Sequence, residues 1–271
     1  AALGQFSGYK PTLHDIRKSL VKWQKAFAGS AWTSLYWSNH DQPRAVSWFG
    51  NKAPEFRDLS AKMLAALLHF MQGTPYIYQG EELGMTNNDN FQDISQYRDV
   101  EAINLYRTTV LEKGLATSND MLDYLRVHSR DNARTPMQWG NQLYAGFSAH
   151  KPWLEVNPNY KTINAEAALE NQNSIFYFYQ QLIALRHKLP VITNGRFDLV
   201  ANNETDDHIF AYTRQNSDMV LLIIANFTDK TVNRHFDLPK HYKCLIQNYH
   251  DDLLDAIRPY EVKVYQYAPN A

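Results

Sequence analysis

The chain has 271 residues, of which 44% are hydrophobic and 13% aromatic, and its formal net charge at pH 7 is −1. This balance gives no electrostatic footprint for a nucleic acid or an anionic membrane, and no apolar run approaches the roughly 18 residues of a membrane-spanning helix. A single cysteine, Cys244, excludes an internal disulfide and is consistent with a reducing compartment, so we expect a cytoplasmic protein.

The first part of the chain alternates between helical and strand patterns. Thr12 and Asp15 form a possible capping box in front of apolar residues at helical spacing. Residues 34–38 are short, apolar and aromatic, which predicts a strand packed on both faces. A second helix is predicted over 54–71 and a second buried strand over 75–78. The order helix, strand, helix, strand is typical of a βα barrel.

The end of the first predicted strand carries the strongest chemical signal. Asn39, His40 and Asp41 follow the strand directly, and Pro43 and Arg44 then turn the chain away. Parallel α/β barrels keep their chemistry at the carboxyl ends of their strands. A capped turn would give the same local pattern, and the pattern alone does not decide between the two interpretations.

The middle of the chain, residues 80–173, is long, polar and irregular. Short helical patterns lie near 99–113 and 119–127. Loops this long inside a compact enzyme usually shape a site. A further helix is predicted over 174–188, since a serine opens it and Pro190 stops it.

Short β-rich segments follow that helix and predict a small antiparallel β domain. They cover residues 208–214, 219–227, 242–249 and 261–267.

Five segments after residue 72 occur in a recognisable order. They are GTPYIYQGEELGMTN, YRDVEAINLY, SRDNARTPMQW, KPWLEVNPNY and SIFYFYQQLIALR. Together with SLYWSNHDQPRAVSWFGN they resemble the carboxyl-terminal half of α-amylase-superfamily glycoside hydrolases (glycoside hydrolase family 13). The resemblance covers nearly the whole chain and is greatest to the exo-acting oligo-1,6-glucosidase, dextran glucosidase and trehalose-6-phosphate hydrolase group.

This resemblance implies a fold of class α/β plus all-β. Residues 1–190 would form the carboxyl-terminal part of a catalytic (β/α)8 TIM barrel, with its last two strands and their helices. Residues 191–271 would form a small antiparallel β-sandwich domain.

The resemblance also implies roles for three residues. Asp41 would be the catalytic transition-state stabiliser, because hydrogen bonds to the sugar 2-hydroxyl strengthen as an oxocarbenium-like state forms. His40 would donate to a hydroxyl of the same ring, and Arg130 would reach the glucose in the innermost subsite, where its fork of donors suits vicinal hydroxyls. Structural roles are the alternatives: a cap for Asp41 and a loop-holding ion pair for the arginine, for which Arg134 is the better candidate.

The family's other two carboxylates have no counterpart in the sequence. Its members hydrolyse with retention, using an aspartate nucleophile and a glutamate acid/base about 5 Å apart on earlier barrel strands. The only acidic residue before Asp41 is Asp15. We therefore expect a fragment that hydrolyses nothing alone, and that is unstable, aggregates or is held by a polypeptide supplying the remainder, because unclosed barrel strands expose their edges.

Other candidate site residues have weaker support. Glu81 and Glu82 are adjacent, so their side chains point in different directions, and we assign them no catalytic role. Trp139 and Trp153 could stack on sugar, but packing of the loop is the favoured interpretation. The oxygen-rich segment near Asp89 lacks the regular alternation and glycine of a calcium loop, so no metal and no cofactor are predicted.

Two positions depart from the group's pattern. Trp48 stands where arginine is favoured, and Gly140 follows Met-Gln-Trp where aspartate is commoner. The first lies shortly after Asp41 and weakens any transfer of fine specificity.

Three functions are compatible with the sequence. The first is half of a retaining α-glucosidase acting on short α-linked glucosides such as isomalto-oligosaccharides. The second is a trehalose-6-phosphate hydrolase, for which basic residues in the other half would have to hold the phosphate. The third is a non-catalytic amylase-like interaction domain, against which the intact Asn-His-Asp motif argues.

Overall fold

A computed structural model describes residues 10–201 and 203–269. Its contacts divide the chain into two compact units that alternate along the sequence. Within the described residues, unit 1 comprises Lys10, Trp37–Lys52 and Ile77–Phe176, and unit 2 comprises Pro11–Tyr36, Ala53–Tyr76 and the chain from Tyr177 onward. The expected domain boundary between residues 190 and 191 stays a prediction.

The described helices and strands include the predicted ones and several that the sequence did not predict. The helices are α1 (Leu13–Ala26), α2 (Ala45–Trp48), α3 (Pro54–His69), α4 (Val100–Tyr106), α5 (Ser118–His128), α6 (Asp131–Arg134), α7 (Ala165–Glu170), α8 (Ile175–Lys188) and α9 (Val191–Asn194). The strands are β1 (Ser34–Leu35), β2 (Thr74–Pro75), β3 (Arg196–Leu199), β4 (Ile209–Gln215), β5 (Val220–Asn226), β6 (Val232–Asn233), β7 (Tyr242–Gln247), β8 (Ala256–Ile257) and β9 (Val262–Tyr267). Among the described residues, no helix is long and apolar enough to cross a membrane.

Helix α1 in unit 2 begins with the predicted capping box. The Thr12 hydroxyl accepts the Asp15 N–H at 3.2 Å, and the Asp15 carboxylate accepts the Thr12 N–H at 2.9 Å. Two of the amides that a helix leaves unpaired at its start are thereby satisfied. The capping-box prediction is confirmed.

The parallel pair of β1 and β2 in unit 2 is shorter than predicted. Ser34 pairs with Thr74 and Leu35 with Pro75, whereas strands over 34–38 and 75–78 were expected. Leu35 is 4% exposed, but Tyr36 beside it is 46% exposed. The prediction that this segment is packed on both faces is therefore wrong: within the described residues no third strand or second layer covers the face on which Tyr36 lies.

Gly73 permits the close approach of these strands. Its φ of +138° lies in a region that side chains disfavour, and a Cβ there would lie 2.6 Å from the Thr33 carbonyl oxygen. The close packing of the chain before β2 against β1 therefore requires glycine at position 73.

Helix α3 packs beneath the antiparallel sheet of unit 2. It begins at Pro54, as predicted, and ends at His69, slightly earlier than expected. The Tyr212 hydroxyl donates to the Leu67 carbonyl at 2.7 Å, and the Asn248 amide donates to the Leu59 carbonyl at 3.0 Å. These bonds fix α3 to β4 and to the segment after β7.

The β-rich segments form a five-stranded antiparallel sheet in the order β3-β4-β5-β9-β7, and β6 pairs separately with β8. Every residue of β5 is buried, because both faces of this central strand are covered. The sequence predicted β4, β5, β7 and β9 but not the edge strand β3. A bulge between Cys244 and Ile246 interrupts the register of β7 against β9.

Unit 1 is built from loops around a small core. Its helices α4 and α5 confirm the predicted helical patterns, and a π-helical turn over Arg107–Glu112 extends α4. The core residues of this part are Phe91, Tyr97, Ala102, Tyr106, Met121, Leu122, Leu125 and Leu154.

Candidate functional site

Asp41 lies at the centre of a cluster of potential donors in unit 1. Its side chain is 48% exposed, and its own N–H donates to the Asn39 side-chain oxygen at 2.8 Å. His40 Nε2 lies 3.2 Å from Asp41 Oδ2, and Arg134 Nη2 lies 2.7 Å from Asp41 Oδ1. Arg130 Nη1 lies 3.5 Å from the same Oδ1. One accessible carboxylate is thus surrounded by three side chains that can donate.

The segment that carries Asp41 is fixed at both ends. Before it, the Ser38 N–H donates to Glu81 Oε1 at 3.1 Å, and the Ser38 hydroxyl donates to the same oxygen. After it, Arg44 donates to the Gln79 carbonyl at 2.6 Å and to the Asn132 carbonyl at 3.1 Å. Arg44 is 2% exposed, and this burial lowers its pKa to about 10.

Arg134 holds the same segment from the side, through both main chain and side chain. Its Nε donates to the His40 carbonyl at 2.9 Å while Nη2 donates to Asp41. A guanidinium that spans a carbonyl and a neighbouring carboxylate restricts both residues. The expected loop-holding role of Arg134 thereby has a geometric basis.

Arg130 makes its strongest contacts with Asp99. Its Nη2 and Nε lie 2.6 and 3.1 Å from the two oxygens of Asp99, and Nη2 lies 3.3 Å from Glu101 Oε1. The hydrogen bond with Asp99 raises the pKa of Arg130. Burial raises the pKa of Asp99, but the bonds from Arg130 and from the Glu101 N–H outweigh it and leave that pKa lowered.

Asp131 fixes the main chain next to this ion pair. Its side chain is fully buried, and Oδ2 accepts the N–H groups of Arg98 at 2.6 Å and Asp99 at 2.9 Å. Two consecutive residues, Arg130 and Asp131, therefore hold two others, Arg98 and Asp99. Asp99 is also the N-cap of α4, where its side chain accepts the Glu101 N–H.

Comparison of the sequence with known protein families identifies the family of this chain. The sequence profile described as "Alpha amylase, catalytic domain" matches residues 3–195. The chain belongs to the α-amylase family. Its relatives include an oligo-1,6-glucosidase of Parageobacillus thermoglucosidasius, 48% identical over 265 residues, which cover 94% of this chain and 46% of the relative. An α-glucosidase of Pediococcus pentosaceus is 47% identical over 98% of this chain and 47% of its own length.

Solved structures agree with this assignment. The crystal structure of trehalose-6-phosphate hydrolase from Bacillus licheniformis aligns with a TM-score of 0.89 and 42% identity, covering 97% of this chain and 48% of that one. The chain therefore spans about half the length of the relatives that it matches.

The three residues that the sequence analysis expects to contact the substrate lie next to one another in unit 1. The structure brings His40, Asp41 and Arg130 together, and it adds Arg134 and Asp99 around them. An accepting carboxylate beside imidazole and guanidinium donors is chemistry suited to binding sugar hydroxyls.

The remaining candidates lie outside this cluster. Glu81 is buried on Ser38, and Glu82 accepts the Gly80 N–H at 2.7 Å while burial raises its pKa. Trp139 and Trp153 are 52% and 58% exposed, so each side chain is partly covered and its packing role stays a prediction.

Both departures from the family pattern are accommodated within unit 1. The Trp48 ring packs edge-on against His128, with ring centroids 5.1 Å apart. At Gly140 a Cβ would lie 2.5 Å from Glu166 Oε2. A carboxylate from another segment therefore occupies the space that an aspartate at position 140 would need.

Proposed function

We propose that this chain contributes one half of a retaining α-glucosidase that hydrolyses short α-linked glucosides, of the oligo-1,6-glucosidase type. In this proposal Asp41 stabilises the transition state, and His40 and Arg130 bind the substrate. The nucleophile and the acid/base come from polypeptide outside residues 1–271.

The observation that carries the proposal is the setting of the Asp41 carboxylate. It is half exposed, so a sugar can reach it, yet both of its oxygens lie close to donors that fix its position. A fixed negative charge beside a sugar ring stabilises the positive charge that develops as the glycosidic bond breaks. Because the oxygens are already oriented, little reorganisation accompanies that step.

Arg130 and Arg134 divide their roles by their partners. Arg134 contacts the main chain of His40 as well as Asp41, which suits a positioning residue. Arg130 is held by Asp99 and approaches Asp41 only at 3.5 Å, so its Nη1 is the donor better placed to contact a bound hydroxyl.

A fusion protein tests this function directly. The amino-terminal half of the Parageobacillus relative is joined to the complete 271-residue chain, and glucose release from isomaltose is measured. We expect turnover, and a fall in kcat/KM of about 100- to 1000-fold for Asp41→Asn, which removes the negative charge. Asp229→Asn, an exposed carboxylate outside the site, is the matched control and should leave the rate unchanged. Equal rates in both variants would refute the role of Asp41.

Trehalose-6-phosphate hydrolase is the second candidate, favoured by the TM-score of 0.89 with the Bacillus licheniformis enzyme. The phosphate of that substrate would be held by basic residues in the other half, so both candidates use the same contacts of Arg130 with Asp99 and of Arg134 with Asp41. A second fusion with the amino-terminal half of that enzyme separates the two. Hydrolysis of trehalose 6-phosphate but not isomaltose by both fusions would favour the second candidate, and failure of both would favour a non-catalytic interaction domain.

A further inference from the structure

Unit 2 contains a cavity that the function proposed for Asp41 does not use. It opens between residues that precede β4 and residues that follow β6, and its volume is about 720 Å³. Small-molecule sites in proteins have volumes of roughly 300–1000 Å³, so a ligand fits into it. We call it the β-domain cavity. Its charged and imidazole side chains are Asp206, Asp207, His208, Arg234, His235 and Asp237.

Side-chain bonds to the main chain fix the wall of the cavity that precedes β4. Asp206 Oδ1 accepts the N–H groups of His208 and Ile209, each at 2.9 Å. Arg17 of α1 donates to the main-chain carbonyls of Asp206 and Ile209. The polar groups on this wall are therefore in place before a ligand arrives, which lowers the entropic cost of binding.

A buried carboxylate also fixes the guanidinium on the other wall. The Asp206 side chain is 3% exposed, and its Oδ2 lies 2.5 Å from Arg234 Nη1. The Arg234 side chain is 39% exposed, and among the described residues it forms an ion pair with no other carboxylate. Because a guanidinium has five N–H donors, Arg234 can donate to a ligand while it keeps its bond to Asp206.

The cavity offers hydrogen-bond acceptors as well as donors. Asp207 and Asp237 are exposed carboxylates, and His208 is an exposed imidazole. His235 Nδ1 lies 2.6 Å from Asp255 Oδ1, and His235 Nε2 lies 3.4 Å from Asp237 Oδ1. The hydrogen bond with Asp255 raises the pKa of His235, which favours the protonated ring as a donor.

This mixture favours a neutral ligand with many hydroxyl groups. A phosphate or another anion would face the carboxylates of Asp207 and Asp237, and an organic cation would face the guanidinium of Arg234. Within the part of the chain that the structure describes, no three His, Cys, Asp or Glu side chains are grouped so that they could hold a metal ion. Each sugar hydroxyl both donates and accepts, so a sugar uses both kinds of group at once.

We propose that the β-domain cavity binds a short neutral oligosaccharide, at a second sugar site that takes no part in bond cleavage. Asp207 and Asp237 accept hydrogen bonds from sugar hydroxyls, and the fork of Arg234 donates to neighbouring hydroxyls. The residues of the cavity carry this inference, and only the choice of α-linked glucose oligomers as the ligand rests on the proposed function. An oligosaccharide held at one site has a raised effective concentration at any second site that it can reach.

The test follows the imidazole resonances of His208 and His235 by NMR while isomaltotriose is added to the fusion protein. The fusion carries Asp41→Asn so that the probe is not consumed during the titration. The two resonances are assigned with His208→Gln and His235→Gln. We expect both to shift saturably with a Kd on the order of 1 mM, because an open polar site gains little from apolar burial.

Two variants and a control test the assigned contacts. The double variant Asp207→Ala, Asp237→Ala removes both acceptors and should weaken binding at least about tenfold. Arg234→Lys keeps a cation beside Asp206 but loses the planar fork, and should weaken binding about tenfold while the circular dichroism stays unchanged. Asp229→Asn changes an exposed carboxylate that does not line the cavity, and should leave the Kd unchanged.

The absence of a saturable shift, or an equal Kd in the double variant and in Asp229→Asn, would overturn the proposal. So would inorganic phosphate that shifts both resonances further than isomaltotriose does at the same pH, because the cavity would then be an anion site. The two proposals are judged separately. Glucose release by the fusion without Asp41→Asn, together with no shift, refutes the cavity site alone, and a saturable shift in a fusion that releases no glucose refutes the glucosidase alone.

Discussion

Asp99 combines burial with a charge, and at the scale of single residues this is the feature on which the site depends most. Its carboxylate is 4% exposed and receives two bonds from one guanidinium. Burial of an unpaired carboxylate would be strongly unfavourable, so Asp99 requires Arg130 as its partner. Asp99 in turn holds the Arg130 side chain in place.

Acid should release this ion pair. The pKa of Asp99 is lowered in the folded protein, since the bonds from Arg130 outweigh the effect of burial. A group with a lowered folded pKa stabilises the protein above its unfolded pKa, near 3.9 for aspartate, and loses that contribution as the pH falls through the folded value. We expect Asp99→Asn to lower the free energy of unfolding at pH 7 and to make its decline below about pH 4 shallower.

Urea titrations between pH 7 and pH 3 would measure that decline. Other carboxylates with a lowered pKa, such as Asp206, also make the free energy of unfolding fall with acid, so part of this pH dependence remains in every variant. Asp229→Asn is the control, and an identical slope for Asp99→Asn and the parent chain would contradict the assignment.

Arg44 is the buried residue on which the position of the Asn-His-Asp segment relies. Arg44→Met removes the guanidinium donor from the carbonyls of Gln79 and Asn132, and we expect the free energy of unfolding to fall by about 3 kcal/mol. Arg107→Met changes a side chain that is 60% exposed and should stay within about 0.5 kcal/mol of the parent. Chemical denaturation of both variants makes the comparison, and equal stability of the two would show that Arg44 has no such role.

At the scale of elements, α1 begins where its capping box places it. Thr12→Ala removes the hydroxyl that accepts the Asp15 N–H, so we expect a loss of about 1 kcal/mol in unfolding free energy. Thr12→Ser keeps the hydroxyl and should restore most of the stability. Thermal and urea unfolding measure both variants, and no difference between them would contradict the role of the cap.

A buried charge network lies at the start of β9 and in the chain just before it. Lys263 and Glu261 are fully buried, with Glu261 bound to Arg258 at 2.7 Å and Lys263 bound to Asp252 at 3.1 Å. Glu261→Gln removes the carboxylate shared by Arg258 and Lys263, two cations that are largely or fully buried, so it should lower the free energy of unfolding by about 3 kcal/mol. Asp229→Asn again serves as the control by urea denaturation, and a loss below about 0.5 kcal/mol for Glu261→Gln would refute this account.

At the scale of the whole molecule, the five-stranded sheet depends on helices that are distant in sequence. Arg17 of α1 is 3% exposed and donates to the carbonyls of Ile209 at 2.8 Å and Glu204 at 3.1 Å. Helix α3 adds the bond between Tyr212 and Leu67. The sheet therefore shares its core with residues from the first quarter of the chain.

Residues 191–271 produced alone should consequently lack a stable fold. We expect poor dispersion of their amide resonances and no cooperative melting, whereas the complete chain within the fusion protein should show a cooperative transition for the sheet. A well-dispersed spectrum from the isolated segment would show that the sheet needs neither Arg17 nor α3.

Local pattern was sufficient for the family and for most elements. The capping box, α3, α5, α8 and the four inner or long strands follow from short-range signals, and the Asn-His-Asp motif pointed to Asp41 without any structure. The edge strand β3 was missed because Arg196–Leu199 has no pattern of its own and becomes a strand by pairing with β4.

The sequence by itself determined which residues could do the chemistry, since the residue types of a motif fix what can donate, accept or carry charge. The tertiary structure alone decided how they are held: that Arg130 is bound to Asp99, that Arg134 spans His40 and Asp41, and that Tyr36 is exposed. Burial and pairing depend on segments that meet only after folding, and no spacing along the chain encodes which side of a strand will be covered.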